Sequence, residues 1–127
     1  MSATTRPRRP GEEDGRDYYF LTEDDFLRRV EEGDFLEHVT YVSGHRYGTL
    51  RSEVERIHAA GQSCVLELET KGAKEVERRM PEAVSIFVRA PSFAELERRL
   101  RERATESAGE IGERLALARA QMGESGD

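Results

Sequence analysis

Four times after its first twenty residues the chain sets a helix-capping residue three positions ahead of an acid: Thr22 with Asp25, Ser52 with Glu55, Ser92 with Glu95 and Ser107 with Glu110. Such a pair satisfies the unpartnered N–H groups at a helix start, so each marks a helix boundary. Phe26, Leu27 and Val30 follow the first boundary and Val54 and Ile57 the second, with Gly33 and Gly61 as stops. Phe93, Leu96 and Leu100 follow the third, and Ile111, Leu115, Ala118 and Met122 the fourth. A further helix, with Ala73, Val76 and Met80 inward, ends at Pro81.

Between these helices lie short apolar runs rich in β-formers. Ser63–Glu69 and 83–90 read as buried strands of a parallel sheet, because strands covered on both faces lose the apolar–polar alternation. Phe35–Val42 and His45–Thr49, joined through Ser43 and Gly44, read as a hairpin, and 17–21 as a short strand before it. Strands alternating with helices predict an α/β fold with a mostly parallel sheet and a small mixed-sheet lobe. With 127 residues and 36% hydrophobic content the chain is sized for one domain.

The stretch before the first helix crowds Arg6, Arg8 and Arg9 between Pro7 and Pro10, and then supplies Gly11, Gly15 and Tyr18. A guanidinium is a rigid fork of donors matched to phosphate oxygens, so the stretch reads either as a phosphate-gripping loop or as a solvated basic terminus. The net charge of −6 argues against a nucleic-acid surface, and Glu12, Glu13 and Asp14 answer the arginines at once. No apolar run approaches the length needed to cross a bilayer. The lone Cys64 sits in an apolar run, as expected of a reduced thiol in a cytoplasmic protein. His38, His45 and His58 have no metal-site spacing.

Read together, SATTRPRRPGEEDGRDYYF, FLEH, RYGT, VLELE-x-KGA, APSFAELERRL and ERLALARA resemble the guanylate kinase family in order and at close to family spacing. The resemblance implies a P-loop kinase-like α/β fold, incomplete at both ends. The GMP-binding lobe would lie at about residues 2–50, partial core and lid at about 51–122, and a polar, disordered tail at 123–127. It implies that Arg6, Arg9, Tyr18 and Tyr47 hold the phosphate of GMP, with Ser2 near the nucleotide, and that Glu37 and Thr49 read guanine. From the residues alone Glu37 is one more acid beside Glu31, Glu32 and Asp34. A carboxylate can nevertheless accept both N–H groups of guanine's edge, whereas adenine would leave it unpaired.

By the same resemblance Glu67 falls near the magnesium and Glu69 near the nucleotide, both where the family carries aspartate, and Lys71 stands where glutamine is usual. The extra methylene moves each carboxylate by ~1 Å, a displacement that can cost about a hundredfold in rate. Arg99, Arg103 and Arg114 match arginines of the lid that closes on ATP, and Ala104 replaces a lid glycine. Arg46 precedes Tyr47 where tyrosine is common, and one extra residue is expected between Glu37 and Tyr47.

The implied reaction is transfer of the terminal phosphoryl of magnesium ATP to GMP. No GxxxxGK[ST] loop occurs, and the family's last strand and helix are also wanting, so the expectation is a truncated, inactive chain whose missing segments belong to a full-length protein. Without a central neighbour, Cys64–Glu69 should expose unpaired backbone. The alternative is a non-catalytic guanylate kinase-like module that binds GMP or a phosphopeptide.

Overall fold

A computed structural model describes residues 1–103 and 108–124. The chain divides into two compact units, Met1–Ala83 and Val84–Asp127. The first unit holds strands β1 (Ala3–Thr4), β2 (Tyr19–Phe20), β3 (Phe35–Thr40) and β4 (Arg46–Leu50), with helices α1 (Glu23–Glu31), α2 (Arg51–Ala59) and α3 (Thr70–Arg79). The second holds α4 (Phe93–Arg103) and α5 (Ala108–Glu124).

The four strands form one mixed sheet in the order β2-β1-β4-β3. β1 pairs in parallel with β2 and antiparallel with β4, and β3 pairs antiparallel with β4. Ala3, Gly48 and Leu50 turn to one face, where Ala3 and Leu50 join Phe26 and Phe35 in a core that also takes Tyr19, Leu21 and Val30. Phe26 and Phe35 stack there at 4.5 Å between ring centroids. Gly48 has to be glycine, because a Cβ there would lie 2.6 Å from the Phe35 ring. Tyr47 and Thr49, one residue either side of Gly48, consequently turn to the opposite face.

β3 changes faces partway. Phe35 pairs with Leu50 but Glu37 pairs with Thr49, so Leu36 is an extra residue in the ladder. That bulge sends Phe35 into the core and Glu37 to the other side, although two-residue spacing would put both on one face. Arg79 of α3 donates from Nη1 to the Phe35 carbonyl at 2.8 Å, satisfying a group the bulge removes from regular pairing. The extra residue expected between Glu37 and Tyr47 is therefore not the irregularity in the ladder, which lies ahead of Glu37. The 41–45 turn closes regularly, with Tyr41 N donating to the His45 carbonyl and Gly44 at φ 86°.

Thr22 caps α1 as predicted, accepting from Asp25 N at 3.1 Å, and Ser92 accepts from Glu95 N at 3.1 Å ahead of α4. Ser52 does not cap α2. β4 runs directly into that helix, Leu50 takes the cap position without a side-chain bond, and Arg51 N donates to the Asp34 carbonyl. The Ser107 cap and Ala104 lie outside the described residues. The tail expected from 123 is helical at its first two residues, since α5 continues through Glu124, and the rest of it lies outside the described residues.

The largest departure concerns the two predicted parallel strands. Residues 63–69 run without strand pairing, and so do 83–90. In the first, Cys64, Leu66 and Leu68 pack half-buried against a second core of Leu36, Val54 and Val76, while Val65 is 87% exposed. In the second, Val84, Ile86, Phe87 and Val88 are all exposed. A parallel strand is held by neighbours along both edges, and none of the four described strands pairs with either segment. Of the expectation for Cys64–Glu69, the structure shows the lack of a strand partner among the described strands.

Candidate functional site

Arg6 is the centre of the basic stretch. Thr4, fully buried on β1, donates its hydroxyl to the Arg46 carbonyl at 2.9 Å and accepts from Arg6 N at 3.1 Å, which fixes the chain where the arginine leaves the sheet. The Arg6 guanidinium then grips Glu12 in a bidentate pair at 2.8 and 3.0 Å and donates to the Pro7 carbonyl. It stands 5.4 Å from the centre of the Tyr18 ring and 5.9 Å from that of Phe20.

The Arg6 hydrogen bonds hold the Glu12 carboxyl at about 2, and the Arg9 backbone N–H, donating at 2.8 Å, helps. Arg6 is pushed up in turn, chiefly by Glu12 and also by the Tyr47 hydroxyl beside it. Glu12 thus holds the arginine's fork in one orientation. The side chains of Arg8 and Arg9 point into solvent.

The aromatic cluster carries the site along the sheet face. Tyr18 lies 6.3 Å from Tyr47 between ring centroids, and Tyr47 lies 5.5 Å from Tyr41. Two residues on from Tyr47, Thr49 donates its hydroxyl to Glu37 Oε1 at 2.7 Å. Glu37 is 4% exposed and Thr49 5%. Burial pushes the Glu37 carboxyl up, against the hydroxyl and backbone N–H of Thr49. Arg6, Tyr18, Tyr47, Thr49 and Glu37 are therefore brought into one run, a cation and phenols at one end and a buried carboxylate at the other.

A cavity of about 500 Å³ opens beside this run, with Ser2, Tyr18, Thr49 and Glu67 in its wall together with Glu53 and Cys64. Glu67 is exposed, and Glu69 sits at the N-cap position of α3 without a side-chain capping bond. Among the described residues there is no group of three or more side chains arranged to hold a metal. Glu67 can offer one carboxylate to a metal that arrives with a ligand, which suits magnesium held mainly by phosphates and water.

In the second unit Arg99 and Arg103 line one groove on α4 with Leu96, Leu100 and Glu102, a volume of about 500 Å³. Arg99 pairs there with Glu95 at 2.6 Å. Arg114 lies on α5, and Arg119 of the same helix stacks on Phe93 at 4.3 Å.

Sequence reasoning missed Thr4, Glu12, Glu53 and Gly72. Glu53 has the plainest signal, an acid in the first turn of a predicted helix. It accepts from the Tyr19 hydroxyl at 2.9 Å and from Arg56 at 3.2 Å, and it meets the Met1 amino group at 3.3 Å.

The lobe is α/β, and its sheet face joins an arginine–tyrosine cluster to a buried carboxylate, an arrangement suited to an anionic ligand that carries hydrogen-bond donors at its other end. The comparisons narrow the class. The family model described as guanylate kinase matches residues 1–127, and the chain belongs to that family. It is 52% identical over 118 residues to the guanylate kinase of Rubrobacter xylanophilus, covering 93% of this chain and 61% of that protein. To the guanylate kinase of Thermotoga maritima it is 46% identical over 122 residues, covering 96% and 58%. The crystal structure of guanylate kinase from Anaplasma phagocytophilum superposes with a TM-score of 0.66 at 40% identity, over 88% of this chain and 58% of that one. The chain thus spans about three-fifths of the length of these relatives.

Proposed function

We propose that this chain is the GMP-binding lobe of a guanylate kinase with part of its core and lid, and that the protein it represents transfers the terminal phosphoryl of ATP to GMP, giving GDP and ADP. The observation that carries the reading is the run from Arg6 to Glu37. Its polarity suits a nucleoside monophosphate, phosphate at the cation and base at the carboxylate. Arg6, Tyr18 and Tyr47 would take the phosphate, with Arg9 closing from solvent and Ser2 beside it. Glu37 and Thr49 would read the guanine edge, and Glu69 would approach the nucleotide from the start of α3.

In such a reaction the protein works by positioning and by offsetting charge on the transferred group. Arg99, Arg103 and Arg114 would supply that charge from the lid. Magnesium would enter as part of the ATP complex, with Glu67 holding one of its waters. The 127 residues carry no GxxxxGK[ST] loop, so by themselves they would bind GMP without phosphorylating it. A cytoplasmic site of action belongs to the same reading, and no described helix is long and apolar enough to cross a membrane.

Calorimetric titration of the chain with GMP, AMP and a phosphoserine peptide tests the reading. Binding of GMP at least tenfold tighter than AMP is expected. Equal affinity for the two nucleotides removes the guanine assignment, and preference for the peptide favours the non-catalytic binding module.

A further inference from the structure

We propose that Gly72 is a positioning residue that decides where the Glu37 carboxylate can stand, and through it how well the site prefers guanine; the specificity half of this rests on the guanine reading above. Gly72 is the third residue of α3, and it is buried. A Cβ built on it would lie 2.9 Å from Glu37 Oε2, 3.6 Å from Glu37 Cδ and 3.6 Å from Leu68 Cβ. The other carboxylate oxygen is already held, since Thr49 donates to Oε1 at 2.7 Å. The carboxylate is thus clamped between a hydroxyl on β4 and bare backbone on α3. The approach at Oε2 is closer than a side-chain carbon tolerates.

Space on the Glu37 side is short because the group is buried at the bulge. Arg79, seven residues along the same helix, is bonded to the Phe35 carbonyl at 2.8 Å, so α3 is tied to the strand it crowds. A methyl at position 72 would therefore be accommodated by turning the Glu37 carboxylate rather than by moving the helix away. Turning it breaks the Thr49 bond or misdirects Oε2, and two donors of a purine edge require both oxygens in one plane. Glycine is also a poor residue for a helix where nothing else calls for it, and alanine would favour α3 intrinsically. A merely structural glycine and a carboxylate-seating glycine hence predict different results on substitution.

The test compares the unsubstituted chain with Gly72→Ala, Glu37→Ala and the double variant. The readouts are GMP and AMP affinity by calorimetry, thermal unfolding, and the pH titration of the Glu37 side-chain carboxyl by carbon NMR. Gly72→Ala is expected to weaken GMP binding at least tenfold, leave AMP binding within twofold, keep or raise the unfolding temperature, and displace the Glu37 titration. In the Glu37→Ala background the same substitution should change nothing, because the clashing group is gone.

A GMP preference that survives Gly72→Ala, with an unmoved Glu37 titration, overturns the proposal alone. Equal GMP and AMP affinity of the unsubstituted chain overturns the guanine reading, and the NMR titration, which needs no nucleotide, then decides whether Gly72 seats the carboxylate. Should Gly72→Ala fail to fold, recovery of folding in the double variant supports the seating role, and failure there too overturns it.

Discussion

Glu37 and Glu53 are both nearly inaccessible to solvent, 4% and 5% exposed, yet their carboxyls move in opposite directions. Depth and partners decide together, since Glu37 lies deeper in protein and, among the described residues, has no cation beside it. Glu53 has the Arg56 guanidinium first, then the Tyr19 hydroxyl and the Met1 amino group, and it is held at about 2. Glu37 has the hydroxyl and N–H of Thr49, both neutral, and the cost of burial wins. A guanine edge would add the donors Glu37 lacks, so GMP binding should lower its pKa and release protons. The ratio of GMP to AMP affinity is expected to fall as pH drops through the raised titration of Glu37, with AMP controlling for protonation of the phosphate. Isothermal titration in two buffers of different ionisation enthalpy should register proton release for GMP and not for Glu37→Gln. Glu53 carries the opposite linkage. Its folded pKa lies below the unfolded 4.5, so it stabilises the fold above that pH and loses the contribution as pH falls toward 2. Urea unfolding between pH 5 and 2.5 should show Glu53→Gln less stable than the parent at the upper end and the two converging at the lower.

At the scale of elements, the β3–β4 hairpin is where a one-residue change matters most. Gly48 lies under the Phe35 ring, so Gly48→Ala must displace either the ring or the strand, and a loss of about 1–3 kcal/mol is expected in denaturant unfolding. Thr22→Ala removes the α1 cap and should cost about 1 kcal/mol, measured the same way. These elements also divide what could be read from the chain from what could not. α1 was legible because Thr22, Asp25 and the Phe26–Val30 spacing all point to one helix, and α4 was legible for the same reason from Ser92 and Glu95. Ser52 misled because its capping pattern is local, whereas β4 continues through Leu50 into α2 and leaves no open first turn for that hydroxyl. The Leu36 bulge has no local signature, since FLEH reads as an ordinary strand and the face switch is imposed by Phe35 entering one core while Leu36 enters another. Among the site residues, Arg6, Tyr18, Glu37, Tyr47 and Thr49 came from the family resemblance, since from the residues alone Arg6 reads equally as a solvated terminus and Glu37 as one more surface acid. Glu12 and Gly72 could not, because their contacts depend on how the loop folds back and how α3 crosses the bulge.

At the scale of the whole chain, the unpaired segments are expected to dominate behaviour in solution. Val65, Val84, Ile86 and Val88 are each more than 80% exposed, in extended stretches whose backbone groups are not used by the four-stranded sheet. Apolar β-rich runs of this kind are templates for pairing with other chains. The purified 127-residue chain should therefore bind a hydrophobic dye, unfold over a broad range and associate as its concentration rises. Val65→Lys and Ile86→Lys separate this cause from general instability. Both side chains already stand in water, so each substitution should alter unfolding free energy by no more than about 0.5 kcal/mol while reducing light scattering at matched concentration. The opposite pattern, in which either lysine lowers stability by several kcal/mol, is what a covered strand would give, because an ammonium would then be forced into an apolar layer. The same substitution thus measures whether either segment is covered: neutral where it stands free, severe where an apolar layer packs on its face.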